Sequence, residues 1–442
     1  MRFYSTRDRS RAVNFSQAVL NGLAGDGGLY VPEEIPRYRF AVEKSLSSMS
    51  FLDIAFETIH PYVYPEIPDA ELRDLISGAF NFTAPLVPLT ANGHSGEGEP
   101  CRSILELFHG PTAAFKDFGA RFMARAFSYF RRDESRPLKI LVATSGDTGG
   151  AVADGFFGIE GISVTVLYPK GRVSPLQEKQ IAGLGKNISA LAVEGSFDDC
   201  QRLVKAAFNN SDLRKKLDMS SANSINIARL IPQIIYYSSA AGAFLKTTST
   251  DQPLPVFCVP SGNFGNLTAG LYAKKMGAPI GSFVAATNIN KTFPDYLSSG
   301  NYHARSSLAT ISNAMDVGAP SNFERLSSHW TLEEMRALIA STFVSDDETR
   351  ETIKTVHDSY GYILDPHGAV GWKAVDKLLK QGVLSNERIA ILETAHPAKF
   401  AETVEPLAGP IALPSQLAEA EKRTVSFRVI SPEEGAFFAE LR

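Results

Sequence analysis

The sequence predicts an α/β fold of mostly parallel sheets flanked by helices, and three observations support that prediction. Apolar runs of four to seven residues alternate with helical patterns along most of the chain. Two of these runs lead directly into small-residue turns that open helices, which is the order of a βαβ unit. The length of 442 residues exceeds that of one ordinary core, so about two or three domains are expected.

The N-terminal part, residues 1–95, has a mixed helix and strand pattern and predicts an α+β segment. Residues 15–23 predict a short helix that stops at the glycine-rich run 24–28, and residues 29–32 are expected to be extended. The polar, glycine-rich stretch 90–98 predicts an exposed hairpin tip or a linker.

Strand and helix patterns alternate from there onward. The predicted strands are 140–144, 162–168, 188–193, 255–260, 283–286 and 389–392. The predicted helices are 151–157, 197–208, 228–245 and 267–276. A single helix over 228–245 tolerates Pro232 because the proline lies near its start, and Gly277 suits a left-handed cap. This alternation predicts parallel sheets with helices on both faces and with ligands at the carboxyl ends of strands.

Composition narrows the functional classes. Hydrophobic residues make up 44% and charged residues 21% of the chain, as in a globular protein, and the net charge is −4. This charge gives no electrostatic reason to expect a nucleic acid or a membrane as partner. The three scattered cysteines form no disulfide or metal pattern, and the eight histidines show no metal-ligand spacing, so no metal is expected. The N-terminus lacks a signal core, and no apolar run is long enough to span a bilayer, which favours a cytoplasmic enzyme.

Two glycine-bearing loops follow predicted strands: 145–150 (SGDTGG) and 261–266 (SGNFGN). Backbone N–H groups and the helix dipole converge at such turns and can bind an anion. The second loop adds side-chain donors from Asn263 and Asn266 but lacks the P-loop and dinucleotide patterns, which favours one small phosphate over a nucleotide. The alternatives are a plain tight connection for the second loop and an N-cap role for Asp147 in the first.

Lys116 lies upstream of both loops, in a segment flanked by Gly110, Phe115 and Phe118. Partial burial there would lower the pKa of its amine from about 10.4 and make it nucleophilic. A solvated surface amine is the alternative. Together, an anion loop and such a lysine indicate pyridoxal phosphate, whose aldehyde needs an amine and whose phosphate needs a cradle.

Two further segments carry candidate polar groups. Thr394 follows the strand 389–392, where its hydroxyl could meet a ring nitrogen or form an ordinary turn hydrogen bond. Residues 221–229 combine amides and hydroxyls with Arg229 before a helix, which is typical of a second anion pocket or of helix caps.

These segments together resemble threonine synthase, a pyridoxal-phosphate enzyme family of fold type II, the tryptophan synthase β-subunit group. The resemblance rests on residues 4–30, 109–117, 145–149, 223–229, 261–266 and 393–400, in unbroken order. It implies two open twisted, mostly parallel sheets flanked by helices, after the N-terminal α+β segment. It also implies a catalytic region over 96–405, with a smaller domain over about 140–240 inserted in a larger one, and a C-terminal segment over 406–442.

The resemblance implies conversion of O-phosphohomoserine and water to threonine and phosphate, the last step of threonine biosynthesis, by a carbon–oxygen lyase. Lys116 would hold the cofactor and move protons, Asp147 would lie near the ring hydroxyl, and Thr394 would lie at the ring nitrogen. The phosphate of the cofactor would be bound by Gly262, Asn263, Phe264, Gly265 and Asn266. The substrate would be bound by Ser145 and Thr148 at its carboxylate and by Ser224, Asn226 and Arg229 at its phosphate.

Three alternatives stay open at this point: a related phospho-lyase that releases ammonia, a serine or threonine dehydratase, and a non-catalytic metabolite-binding protein. A dehydratase needs no second phosphate pocket. A binding module needs no combination of Lys116, the loop 261–266 and Thr394. A monomer or a homodimer is expected.

Overall fold

The computed structural model describes residues 1–90, 102–246, 252–385 and 388–441, and its strands form three sheets within these ranges. The strands are β1 Phe3–Ser5, β2 Tyr30–Pro32, β3 Leu86–Leu89, β4 Arg102–Glu106, β5 Leu138–Ala143, β6 Ile162–Pro169, β7 Ile188–Val193, β8 Asp218–Ser221, β9 Val256–Pro260, β10 Ser282–Thr287, β11 Ile339–Phe343, β12 Ile389–Glu393 and β13 Arg428–Ile430.

The helices alternate with these strands. They are α1 Phe15–Asn21, α2 Val42–Ser45, α3 Phe51–Val63, α4 Asp69–Ala79, α5 Lys116–Phe130, α6 Asp147–Phe156, α7 Pro175–Ala182, α8 Phe197–Asn209, α9 Ser211–Lys216, α10 Ile227–Leu230, α11 Ile234–Lys246, α12 Gly265–Met276, α13 Thr292–Ser299, α14 Phe323–His329, α15 Leu332–Leu338, α16 Asp346–Tyr360, α17 Pro366–Lys380, α18 Ala401–Ala408, α19 Ser415–Glu421 and α20 Glu434–Leu441. The predicted α/β fold class, with mostly parallel sheets between helices, is confirmed.

The larger sheet has the strand order β11-β10-β9-β12-β4-β3, and all its pairs are parallel except β3 with β4. Alternate side chains of β9 pack on opposite faces. Phe257 and Val259 join the cluster that includes Tyr236 and Tyr237 of α11, whereas Val256 and Cys258 join the cluster that includes Trp372 of α17. Burial on both faces explains why the central strands are continuous apolar runs.

The smaller sheet has the order β13-β7-β6-β5-β8 and is parallel throughout. Ile140 and Val142 of β5 face one hydrophobic cluster, and Leu141 faces the other, against Leu203 of α8. Strand β13 lies far along the chain yet pairs with β7, so the last residues complete this sheet. Each glycine loop therefore lies at the carboxyl end of an interior strand, one after β5 of the smaller sheet and the other after β9 of the larger sheet.

The N-terminal part contains the antiparallel pair β1–β2 and packs its helices into the largest core cluster. Helix α1 begins with a capping box at Asn14 and ends at Asn21, two residues before the predicted end, because Gly22 takes a positive φ of 71°. Residues 91–98 of the predicted hairpin tip or linker lie outside the described residues.

The prediction of one helix over 228–245 is wrong. The chain instead forms α10, a 3₁₀ turn at Ile231–Gln233, and then α11. Pro232 has no N–H to donate and its ring crowds the preceding turn, so the α-helical ladder breaks. The side-chain Nε2 of Gln233 donates to the Arg229 carbonyl over 2.7 Å and so caps a carbonyl at the break. Helix α12, in contrast, ends at Gly277 with φ 111°, and the predicted left-handed cap is confirmed.

Candidate active site

A cavity of about 560 Å³ lies where the carboxyl ends of β5 and β9 approach each other. It is lined by the predicted site residues Lys116, Ser145, Thr148, Ser224, Arg229, Gly262, Asn263, Phe264, Gly265, Asn266 and Thr394. The remaining two predicted residues, Asp147 and Asn226, do not line it. The structure therefore collects groups that are up to 278 residues apart in the sequence, from Lys116 to Thr394, around one space.

The loop 261–266 turns sharply from β9 into α12. Phe264 makes the turn with a φ of 59°, and Gly265 begins the helix, so backbone N–H groups of the first turn have no helical partner. A side chain at Gly262 is excluded because a Cβ there would lie 2.8 Å from Met315 Cα and 2.9 Å from the Ala314 carbonyl oxygen. The loop thus presents a bare backbone and a helix N-terminus to the cavity, as an anion site requires.

The two asparagines of this loop are held differently. Asn266 Oδ1 accepts hydrogen bonds from the hydroxyls of Tyr236 at 2.6 Å and Tyr237 at 2.8 Å, which fixes the orientation of the amide. Its Nδ2 is buried without a hydrogen-bond partner. Asn263 Nδ2 donates to Ser224 Oγ over 2.6 Å and so ties the loop to the segment that precedes α10.

Lys116 begins α5, and its amine belongs to a buried group of charges. Lys116 Nζ lies 3.6 Å from Asp147 Oδ2, and Lys399 Nζ lies 2.7 Å from Asp147 Oδ1. Lys399 Nζ also donates to the Thr112 carbonyl over 2.8 Å, and Gln177 Nε2 donates to Asp147 Oδ1 over 2.9 Å. One carboxylate therefore stands between two lysines.

The charges of this cluster set the ionisation of its members. Burial opposes the ionisation of Asp147, but Lys399 and Lys116 together hold the pKa of its carboxyl below the ordinary value. Burial lowers the pKa of the Lys116 amine, Asp147 opposes that shift, and the cations Lys399 and Arg229 add to it. A lysine whose pKa is lowered in this way is a better nucleophile near neutral pH.

Asp147 is not an N-cap, although that was one sequence interpretation. The N-cap position of α6 is Gly146, with φ 136°, and Asp147 is the first helical residue. The loop is held instead by Thr144, whose Oγ1 accepts hydrogen bonds from the N–H groups of Gly146 at 2.9 Å and Gly149 at 2.8 Å. This leaves Ser145 and Thr148 to line the cavity at the start of α6.

Arg229 is almost fully buried and reaches the cavity wall. Its Nη1 donates to the Ala222 carbonyl over 2.6 Å, while its Nε has no hydrogen-bond partner. Burial lowers the pKa of the guanidinium to about 10, against the opposing charge of Asp117, so it stays cationic at neutral pH.

Asn226 is not brought to the cavity. Its Oδ1 accepts the N–H of Ala228 at 3.0 Å and caps α10, and its Nδ2 donates to the Val19 carbonyl over 2.8 Å. This side chain joins α1 to the loop that holds Ser224. Of the two roles that the sequence left open for this segment, Asn226 has that of a helix cap in this structure.

Thr394 follows β12 of the larger sheet and lines the cavity. Its carbonyl accepts the N–H of Phe115 at 2.9 Å, which fixes it beside the residue preceding Lys116. The next residue, Ala395, donates its N–H to Asp365 Oδ2 over 3.0 Å. Asp365 also accepts from His367 Nδ1 at 2.6 Å, and His367 Nε2 accepts the N–H of Ala314 at 3.2 Å.

Sequence reasoning missed several residues of this site. Lys399, Asn223, His367 and the turn 313–316 all border the cavity or its buried charges. Lys399 lies within the segment 393–400 that carries the family resemblance, but the sequence analysis did not predict that this lysine is buried. His367 accepts a hydrogen bond from the N–H of Ala314, and this residue also lines the cavity.

The polar groups of the cavity fit a ligand with a phosphate and a polar ring. Four buried polar atoms on its lining residues lack hydrogen-bond partners: Arg229 Nε, Asn266 Nδ2, Asn223 Oδ1 and Asn313 Oδ1. Such atoms are costly unless something binds them. Beside them stand the bare loop at Gly262 and the amine of Lys116, which matches the phosphate and the aldehyde of pyridoxal phosphate. Among the described residues, no group of three or more His, Cys, Asp or Glu side chains could hold a metal ion.

The catalytic part of the chain is that of a pyridoxal-phosphate-dependent enzyme. A family model described as "Pyridoxal-phosphate dependent enzyme" matches residues 82–395. Models for "Threonine synthase N terminus" and "Threonine synthase, C-terminal" match residues 2–80 and 368–437. The chain belongs to the threonine synthase family, a group of lyases that use pyridoxal 5′-phosphate, and the predicted family and cofactor are confirmed.

Relatives of known name agree with this assignment over the whole chain. The chain is 43% identical over 447 residues to threonine synthase of Haemophilus influenzae, covering 100% of this chain and 99% of the relative. It superposes on the crystal structure of threonine synthase from Escherichia coli with a TM-score of 0.88 and 39% identity, covering 100% and 99% of the two chains. A pyridoxal-phosphate-bound threonine synthase from Brucella melitensis gives a TM-score of 0.88 at 36% identity, covering 100% and 98%. No helix within the described ranges is long and apolar enough to cross a membrane.

Proposed function

We propose that this protein binds pyridoxal phosphate through Lys116 and converts O-phosphohomoserine and water to threonine and phosphate. The observation that carries the proposal is the position of Lys116 in one cavity with two groups of residues that could each bind an anion. One group is the loop 261–266 at the start of α12, and the other is Arg229 with Ser224. A substrate with its own phosphate needs the second group in addition to the cofactor's cradle.

The cofactor's ends are recognised by different chemistry. Backbone N–H groups of α12 and the free Nδ2 of Asn266 would bind the phosphate, on a loop whose Gly262 packs directly against the backbone of Ala314 and Met315. Thr394 would offer a neutral hydroxyl at the ring nitrogen, which does not force that nitrogen to take a proton. When bound, pyridoxal phosphate withdraws electrons from the substrate's α-carbon, so that protons beside it become acidic.

Lys116 would act as the proton carrier of the reaction. Its Nζ stands at the cavity wall with a pKa lowered chiefly by burial, so the amine can take a proton from the substrate's α-carbon and return one later. Ser145 and Thr148, at the N-terminus of α6, would hold the substrate's carboxylate and keep the α-carbon within reach of that amine.

Arg229 would bind the substrate's γ-phosphate and stabilise it as it leaves. The Nε edge of its guanidinium lacks a partner, and a phosphate offers the paired oxygens that this edge can bind. Ser224 is available beside it because Asn263 already orients its hydroxyl at 2.6 Å. The phosphate then departs with its own bridging oxygen, and water supplies the hydroxyl of threonine.

The proposal is tested by identifying the modified residue and the product together. Borohydride reduction of the loaded protein should fix the cofactor on Lys116, as peptide mass spectrometry would show. Lys116→Ala should keep the fold and lose turnover of O-phosphohomoserine. Lys274→Met is a matched control, because Lys274 Nζ is partly buried against the Ile280 and Gly281 carbonyls and lies outside the cavity lining. Label on another residue, or normal turnover by the Lys116 variant, would refute the assignment.

We also infer a division into residues 1–95, a catalytic region 96–405 with a smaller inserted domain at about 140–240, and residues 406–442. The strands β5 to β8 support an insertion, because they make up the smaller sheet except for β13 and lie between β4 and β9 of the larger one. Sparse cysteines, with Cys200 and Cys258 buried as free thiols, favour a cytoplasmic location. We expect a monomer or a homodimer, which sedimentation would distinguish.

A further inference from the structure

Lys399 is a buried lysine that the proposed reaction does not use. Its side chain is 0% exposed and does not line the cavity of Lys116. Its Nζ contacts the Asp147 carboxylate and the Thr112 carbonyl. Burying an ammonium is expensive unless a partner compensates for its lost hydration. The partner here is Asp147, the same carboxylate that faces Lys116.

The two lysines hold Asp147 unequally. Lys399 Nζ lies at a hydrogen-bonding distance of 2.7 Å from Oδ1, whereas Lys116 Nζ lies 3.6 Å from Oδ2, which is a weaker contact. Two ammoniums and one carboxylate leave the cluster with one excess positive charge. When Lys116 is neutral, the ion pair of Lys399 and Asp147 is balanced. Without Lys399, a neutral Lys116 would leave a buried carboxylate with no cation bonded to it.

We propose that Lys399 is a positioning residue, which neutralises Asp147 from the side opposite Lys116 and so leaves the Lys116 amine free to lose its proton. That proton would pass to solvent, and the neutral amine is the form that would hold the cofactor through its aldehyde, with release of one water. Other charged or titratable groups face this cluster: Arg229 of α10 repels a proton on Lys116, His367 of α17 faces Asp147, and both Asp117 and His396 face Lys399. Asp117 faces Arg229 and is hydrogen-bonded to Thr112.

Replacement of Lys399 by methionine removes the charge with little loss of other bonds. The Thr112 carbonyl keeps the hydrogen bond from Gln180 Nε2 at 3.0 Å, and Asp147 Oδ1 keeps the one from Gln177 Nε2 at 2.9 Å. Methionine also matches the length of the lysine stem. The variant therefore isolates the ammonium from the hydrogen bonds around it.

The inference rests on the proposed role of Lys116 and is tested on the full chain freed of cofactor. Lys116 is modified with an amine-selective reagent at a series of pH values, and mass spectrometry of its peptide gives the pH at which half of the maximal rate is reached. In Lys399→Met this midpoint should rise by about one pH unit or more, because a neighbouring cation is lost while Asp147 stays. Lys399→Arg should keep the parent midpoint, and so should Lys274→Met, which removes a lysine that pairs only with carbonyls.

A midpoint in Lys399→Met equal to that of the parent would overturn the inference. If that variant does not fold, the comparison moves to Asp147→Asn and Asp147→Asn/Lys399→Met, since the double variant contains no unpaired carboxylate. The double variant should then titrate Lys116 at higher pH than the single one, and equal midpoints would overturn the inference. Failure of the cofactor to attach to Lys116 in the parent would instead refute the proposed function.

Discussion

Replacing Arg229 with leucine should remove recognition of the substrate's phosphate and spare the cofactor. The guanidinium donates through Nη1 to the Ala222 carbonyl, and its Nε has no partner, so the Nε edge can give two charge-assisted hydrogen bonds to a phosphate. Each such bond contributes about 1.5–3 kcal/mol. The loss of two is about 3–6 kcal/mol, or about 10²–10⁴-fold in kcat/KM for O-phosphohomoserine.

The assay compares phosphorylated and unphosphorylated amino acids. Slow reactions of unphosphorylated substrates, the cofactor's absorption spectrum and its affinity should all be unchanged in Arg229→Leu, and inorganic phosphate should inhibit the variant much less than the parent. Arg305→Leu is the matched control, because Arg305 lines the same cavity but is half exposed and paired with Asp295 at 2.8 Å. Equal losses toward both classes of substrate in Arg229→Leu would show that Arg229 is structural and that the phosphate binds elsewhere.

Gly262→Ala should weaken cofactor affinity about 5- to 150-fold, which corresponds to about 1–3 kcal/mol of overpacking against Met315. In Gly265→Ala the new methyl group meets only Asn322, with Nδ2 at 3.3 Å, so a cofactor titration of this variant should stay close to that of the parent. Asn266→Asp keeps an acceptor for the tyrosine hydroxyls but replaces the free Nδ2 by a carboxylate oxygen. The cofactor affinity of this variant should therefore fall at least about tenfold. Unchanged affinity would show that the phosphate does not bind at this residue. Asp117 has a pKa raised from 3.8 to about 6, chiefly by burial, so the folded state holds its proton more tightly than the unfolded state. The free energy of unfolding of the parent relative to Asp117→Asn should therefore be highest below pH 3.8, fall by about 3 kcal/mol as pH rises to about 6, and change no further, as denaturant titrations across this range would show.

Sequence patterns predicted most interior strands of the two larger sheets, but they missed the interior strand β4 and the edge strands β3, β8, β11 and β13. The runs at β6, β7, β9 and β12 are mostly apolar, and the predicted bounds differ from the observed ones by at most one residue. Strand β8 reads Asp-Met-Ser-Ser and β13 is mostly exposed, so neither has the composition of a buried strand. Each lies at an edge of the smaller sheet, where pairing with a neighbour rather than burial decides the conformation.

The residues of the candidate site also differ in how far the sequence could predict them. The position of Lys116, Gly262 and Arg229 at one cavity could be predicted, because glycine turns and helix starts are recognisable from a few neighbouring residues. Lys399 could not, since its partner Asp147 lies 252 residues earlier and only the fold brings the two together. Asn226 was assigned to the substrate because amides bind phosphates, but its amide caps α10 and ties α1 in place.

Turnover of O-phosphohomoserine in water enriched with oxygen-18 tests the central claim most directly. If the γ-phosphate leaves with its bridging oxygen and water adds at the β-carbon, mass spectrometry should find the heavy oxygen in the hydroxyl of threonine, and phosphate released in equal amount should carry none from the cleavage. Heavy oxygen in the phosphate together with homoserine would show simple hydrolysis, and a 2-oxo acid with ammonia in place of threonine would show a phospho-lyase. Either result would contradict the account.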